Sequence, residues 1–318
     1  MGGLVPPGDE VMRNAIRFLS KWCLIFLVTS ALIFLAVRMM PTTPVDKWLD
    51  AYHLPHTAEN EAYVKEKMGL DEPLIFQYTG WIGNFLRGDW GVSLVSGENI
   101  RERFLAKMPY SFSIGIIGIL LGALGAFFLG YRAALARSGR WDRITTGMTV
   151  FCQSVPMFIL SILIINAFGV KLGIASFFTG DGRYSILAAI LLTALYSIGG
   201  LSRVVRAAFR EEMGQSYVKF MVSRGFAPEE VLWKHAYKPP LASLIAAVIT
   251  RFAGVFGGST VLEFAFAIPG LSTMLVSAMD SRDYAILQTY ILVVVLWMFL
   301  VHLVLHLVLY LLGARRGA

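Results

Sequence analysis

The chain predicts an all-α integral membrane fold of six transmembrane helices, with a helical segment outside the membrane between the first and the second. Three observations carry this. Hydrophobic residues fill 56% of the 318 positions and charged residues 15%, which is too apolar for a soluble globular chain. Six stretches, residues 22–37, 112–131, 144–168, 186–201, 241–262 and 286–312, are long and apolar enough to cross roughly 30 Å of hydrocarbon as helices. The charges also sort by side. With a cytoplasmic amino terminus, the inner segments (before 22, 132–143, 203–240, after 312) hold 16 Lys or Arg and 7 acids, and the outer ones 11 and 14. That is the bias of cytoplasmic loops, and it puts both termini inside. The net charge of +7 is therefore topological, and nucleic acid is not implied.

Residues 1–11, with paired glycines and prolines, read as a disordered or non-native start within a cytoplasmic segment 1–21. Arg13, Arg17 and Lys21 before the first apolar run resemble a signal peptide. Arg38-Met39-Met40-Pro41 is a poor cleavage site, however, so residues 22–40 read as an uncleaved span. Residues 41–108 form the extracytoplasmic segment. Within it Leu74, Tyr78, Trp81, Ile82 and Phe85 recur at three- and four-residue spacing after Asp71-Glu72-Pro73, which predicts an amphipathic helix. Arg87-Gly88-Asp89-Trp90-Gly91 ends it, and residues 98–108 form a second, charged helix leading into the membrane. The pattern fits a cap on the bilayer surface or a docking platform for an external protein.

Helices 2–6 fall within residues 109–312, and 313–318 form a cytoplasmic tail. Gly118, Gly122 and Ala126 in the second span let another helix approach closely. The third carries Gln153, Ser154 and Pro156 near its middle, as a structural kink or as the lining of a pathway. Arg251, inside the fifth, costs at least roughly 2.5 to 3.5 kcal/mol at that depth and needs a polar setting. It either caps carbonyls of a neighbouring subunit or meets an anionic group of a passing solute. His302 and His306 share one helical face and could touch a metal, but the chain lacks the acid and third ligand of a zincin. Polar packing and a membrane enzyme with a His302/His306 metal site are the two readings. Cys23 and Cys152 both lie in predicted spans, so no disulfide framework follows.

Residues 211–241 form a charged insert between spans four and five, with Lys219, Arg224, Lys234 and Lys238 against Glu211, Glu212, Glu229 and Glu230. Its helices break at Arg224-Gly225-Phe226-Ala227-Pro228, and Pro228-Glu229-Glu230 suits a first turn. A helix, turn, helix shape of this kind is a handle for a partner. The chain contains no phosphate-binding loop, nucleophile elbow or dinucleotide fingerprint, so energy comes from another protein. A stand-alone carrier is disfavoured, because the insert has no counterpart elsewhere in the chain.

Four strings then carry a resemblance. They are residues 68–74 continuing through Gln77-Tyr78 to 84–91, Ser154-Val155-Pro156-Met157-Phe158, the insert from Tyr217 and Ser223 to His235-Ala236, and 263–271 with Arg282-Asp283-Tyr284. In this order the chain resembles permease subunits of the dipeptide, oligopeptide and nickel branch of the ABC importers, over nearly its whole length. The resemblance implies a type I ABC importer permease fold in the inner (plasma) membrane of a prokaryote. It also implies a second homologous permease, two ABC ATPase subunits that bind ATP and Mg, an extracytoplasmic substrate-binding protein, and no cofactor in this chain. It makes the insert similar to the EAA coupling loop, with Lys219, Phe220 and Met221 at the EAA positions, Gly225 as the loop glycine, and Arg224, Phe226, Ala227, Pro228 and Glu229 beside it. Gln153, Ser154 and Arg251 are the candidate pathway residues. The chain departs from the pattern at Met221 (usually Ala), Lys238-Pro239 (Arg-Asn), Arg251 (Gln), His302 and His306 (Asn and Asp), and in lacking an Asp-Pro-Arg ending. Peptides, a nickel chelate, an opine-like metallophore or a short sugar are the cargo classes implied.

Overall fold

The computed structural model describes residues 7–39, 44–67, 70–136, 139–178 and 182–311. Apart from an isolated bridge between Val92 and Asn99, these residues are helical or irregular. The helices are α1 (Pro7–Arg38), α2 (Pro44–Ala51), α3 (Ala58–Lys67), α4 (Leu74–Leu86), α5 (Ile100–Phe112) and α6 (Gly118–Leu135). Then come α7 (Arg140–Ser154), α8 (Met157–Ile164), α9 (Arg183–Gly214), α10 (Ser216–Ser223) and α11 (Pro228–Lys234). The last are α12 (Lys238–Phe252), α13 (Val255–Gly258), α14 (Thr260–Ala265), α15 (Leu271–Asp280) and α16 (Tyr284–Leu311). π-helical turns, Ser113–Ile117 and Ile165–Lys171, join α5 to α6 and extend α8.

Four helical segments among the described residues are long and apolar enough to cross a membrane: Ile16–Arg38, Ile100–Leu135, Arg183–Gly214 and Tyr284–Leu309. Two bent pairs bring the number up to six. Arg140–Ser154 with Met157–Lys171 turns by 93°, and Lys238–Phe252 with Val255–Ala265 by 49°. Every predicted stretch thus falls on helix, but the third and fifth are broken. Proline at 156 removes a donor at the first break, and Gly254 lies at the second. The expected disordered start is helical from Pro7, while residues 1–6 and the tail 313–318 lie outside the described residues. The charged helix expected over 98–108 is continuous with the second span. Glu211 and Glu212, expected in the insert, belong to the last turn of α9.

The chain forms two compact units. The first comprises the described residues of Met1–Ala106 with Leu275–Phe299. There the predicted face of α4 docks on α1. The Tyr78 hydroxyl bonds Ser30 at 2.7 Å, and the rings of Tyr78 and Trp81 lie 5.4 and 5.8 Å from Phe34. Leu74, expected on that face, is exposed beside Ile75 and Phe76. Trp90 stacks on Phe85 and meets Phe104 edge-on. The buried Asp283 accepts hydrogen bonds from Ser93 Oγ (2.5 Å) and the Leu94 amide (3.3 Å).

The second unit comprises the described residues of Lys107–Met274 with Leu300–Ala318. Its axis is α6 against α9. A Cβ on Gly118 would meet Thr193 at 2.6 Å, one on Gly130 would meet Val205 at 2.7 Å, and one on Gly122 would collide with Ser197. The small-residue face of the second span therefore serves backbone contact within the chain.

Candidate functional site

The insert is a hairpin of two short helices. Gln215 is extended and ends α9, and α10 then runs for two turns. Its exit is a left-handed stop: Gly225, at φ +95°, donates to Val222 O (3.0 Å), and Phe226 donates to Met221 O (3.3 Å). A Cβ on Gly225 would meet nothing within 4 Å, so the backbone angle alone selects glycine. Pro228 at the first position starts α11, and Glu229 and Glu230 fill its first turn.

One face of the hairpin is anchored. Val218, Val231, Leu232 and Ala236 are buried in the core that Leu201, Val205 and Phe209 of α9 share with Ala126 of α6 and Leu244 and Val248 of α12. Tyr131 of α6 donates to Glu229 O (3.2 Å), and its ring lies 5.5 Å from Trp233. The other face is open. Lys219, Phe220, Arg224, Gly225, Phe226, Ala227, Pro228 and Glu229 are all exposed, while Met221 is half-buried against the core. Phe220, Phe226 and Trp233 together leave three aromatic rings in solvent, and Arg224 lies over the Phe220 ring at 5.0 Å. The Tyr217 hydroxyl donates to Glu212 at 2.5 Å, and burial together with that bond pushes it up to about 12. A hydrogen bond from Lys234 (2.8 Å) holds the Glu230 carboxyl below its ordinary value.

The candidate pathway residues lie elsewhere in the same unit. Gln153 and Ser154 are exposed at the end of α7, where the Tyr196 hydroxyl donates to the Val155 carbonyl. Arg251 is exposed on α12, and its guanidinium occupies the space a side chain at Gly200 would take. No hydrogen bond joins Arg251 to Gln153 or Ser154 among the described residues. His302 and His306 are half-buried on α16, and no group of three or more His, Cys, Asp or Glu able to hold a metal occurs among the described residues.

A family model described as the binding-protein-dependent transport system inner membrane component matches residues 126–317. The chain belongs to this family. It is 29% identical over 288 residues to the dipeptide transport system permease protein DppB of Bacillus subtilis, covering 87% of this chain and 90% of that protein. It is 29% identical over 283 residues to the glutathione transport system permease protein GsiC of Escherichia coli K12, with shares of 87% and 90%. A putative peptide transport system permease of Brucella abortus is 29% identical over 276 residues, with shares of 83% and 86%. The chain is thus a multi-pass inner-membrane component, and the membrane-enzyme alternative built on His302 and His306 is not favoured.

One site in this permease was not assigned from the sequence. Glu263, fully buried, accepts from Ser111 Oγ and Ser259 Oγ (both 2.6 Å) and from the Ser272 and Thr273 amides (2.9 and 3.1 Å). Gly270 is required beside it, because a Cβ there would collide with the carboxylate. The signal was an acid inside an apolar run, which stays buried only when its lone pairs are filled. The donors span 162 residues of sequence and could not be read from spacing.

Proposed function

We propose that the chain is one permease subunit of an ATP-driven importer of short peptides. It works with a second homologous permease, two ABC ATPase subunits that bind ATP and Mg, and an extracytoplasmic binding protein that delivers the cargo. The insert faces the cytoplasm and seats in an ATPase cleft. The single observation that carries this reading is the two-faced hairpin, anchored through Val218, Val231, Leu232 and Ala236 while presenting Phe220, Phe226 and Trp233 to solvent. Exposed aromatics on a fixed base form a protein contact. Because the base is continuous with the cores of α6, α9 and α12, a push on the hairpin travels into those helices. That is how nucleotide-driven closure of the motors switches the membrane opening. The names of the related proteins support peptides as cargo.

The test is uptake of a labelled dipeptide by the reconstituted assembly, with binding-protein-stimulated ATP hydrolysis measured alongside. Phe220→Ala with Phe226→Ala should lower stimulated hydrolysis about tenfold or more, as loss of interface anchors does. Unchanged stimulation counts against the coupling role. Uptake of nickel or a metallophore complex in place of dipeptide reassigns the cargo within the same architecture.

A further inference from the structure

Three elements of the second unit place their irregular or polar points at the same level. The α7–α8 break at Val155-Pro156, the Gly199-Gly200 pair of α9, and Arg251 each lie at the middle of their own membrane-crossing segment. The two glycines each receive one of the other two elements. A Cβ on Gly199 would lie 2.9 Å from Cys152 Cβ, and Gly200 leaves the space that the Arg251 guanidinium fills. The end of α7 and Arg251 therefore sit against consecutive residues of one helix.

Arg251 is exposed there, and its side chain forms no ion pair or hydrogen bond among the described residues. The buried acid that follows on the same bent segment, Glu263, already accepts from four donors. A guanidinium left open at mid-membrane depth is too costly to face lipid tails, so it faces water or a polar guest. A lipid phosphate stays at the bilayer surface, away from this level. Non-helical backbone at membrane depth, as at Val155-Pro156, is likewise tolerated where it lines a cavity. The exposed Gln153 and Ser154 add neutral donors and acceptors to the same level.

We infer that Arg251, with the polar break at Gln153-Ser154-Pro156, forms an intramembrane recognition site for a carboxylate of the transported solute. The guanidinium fork matches a carboxylate with two parallel hydrogen bonds, which a neutral amide cannot reproduce. The inference rests on the permease reading above and deepens it: the peptide crosses with a free terminal carboxylate held at Arg251.

The experiment uses the whole assembly with its binding protein in proteoliposomes, and labelled dialanine and dialanine amide as probes. Affinities of the binding protein for both are measured separately, and uptake is compared at equal occupancy of that protein. The assembly should import the free acid roughly tenfold or more faster than the amide. Arg251→Gln should bring the ratio of acid to amide uptake down to about one, while Arg251→Lys keeps part of the preference. An acid preference that survives Arg251→Gln overturns the inference. So does failure of Arg251→Gln to assemble, which assigns the guanidinium to the second permease. Absence of uptake of both probes by the unaltered assembly removes the peptide reading itself, a result distinct from equal uptake of the two.

Discussion

Gly225 and Glu263 show two ways in which one residue holds this permease in shape. At Gly225 the surroundings are open, and only the angle of φ +95° demands glycine. Gly225→Val should therefore cost about 1 to 2 kcal/mol locally without a steric clash. It should leave membrane insertion intact while abolishing binding-protein-stimulated ATP hydrolysis, because it redirects Phe226 and the start of α11; full stimulation in the assembled variant would remove the lever. Glu263 is the opposite case, with every bond directed inward. Glu263→Ala leaves the Ser272 and Thr273 amides without their acceptor, at about 1 to 3 kcal/mol each. Its thermal midpoint in detergent should fall by several degrees, and a midpoint equal to that of the unaltered protein contradicts the network. Gly225 was legible in the sequence, because a glycine between a short helix and a proline-started one is local turn chemistry. Glu263 was not, because Ser111 lies 152 residues away in the chain.

Among the elements, helix ends were easier to read than helix directions. α4 begins after Pro73 and stops before Gly88, and α11 begins at Pro228, each set by residues within one turn. The 93° turn at Pro156 was legible only as a kink, since its size depends on what α7 and α8 pack against. The same holds for α4's two faces. The sequence put Leu74 with Tyr78 and Trp81, yet α1 receives Tyr78 and Trp81 and leaves Leu74, Ile75 and Phe76 open. Under the proposed arrangement, that open face is where the binding protein would dock. Phe76→Asp should reduce stimulation by the binding protein while basal ATP hydrolysis and the Phe34 contacts stay as they are; unchanged stimulation assigns the face to the bilayer surface. At the junction of α9 and α10, the Tyr217 hydroxyl titrates at about 12, above its ordinary value. Its contribution is thus complete below the ordinary phenol range and lost only as pH rises through about 12, so the Tyr217–Glu212 bond should persist between pH 6 and pH 9, as ultraviolet titration of the phenol would check.

For the whole chain, the prediction with most consequence is sidedness, since every role above depends on which face of the membrane holds the insert. The sorting of basic residues puts the insert with the amino terminus inside, and puts α3 and α4 outside. The bent pairs matter to this assignment. If the α7–α8 and α12–α14 pairs each cross the membrane, six crossings return both termini to one side. If either pair instead enters and leaves by the same face, an odd number of crossings separates the termini. Thiol labelling on either side of the α7–α8 pair tests whether that pair crosses, because only Cys23 and Cys152 need to be removed first. In a Cys23→Ala, Cys152→Ala background, Ser223→Cys on the exposed end of α10 should react with a membrane-impermeant maleimide in inverted vesicles and not in intact cells. Glu59→Cys, exposed on α3, should show the reverse. Labelling of both positions in intact cells would require the α7–α8 pair to be re-entrant, and would take the hairpin out of reach of a cytoplasmic ATPase.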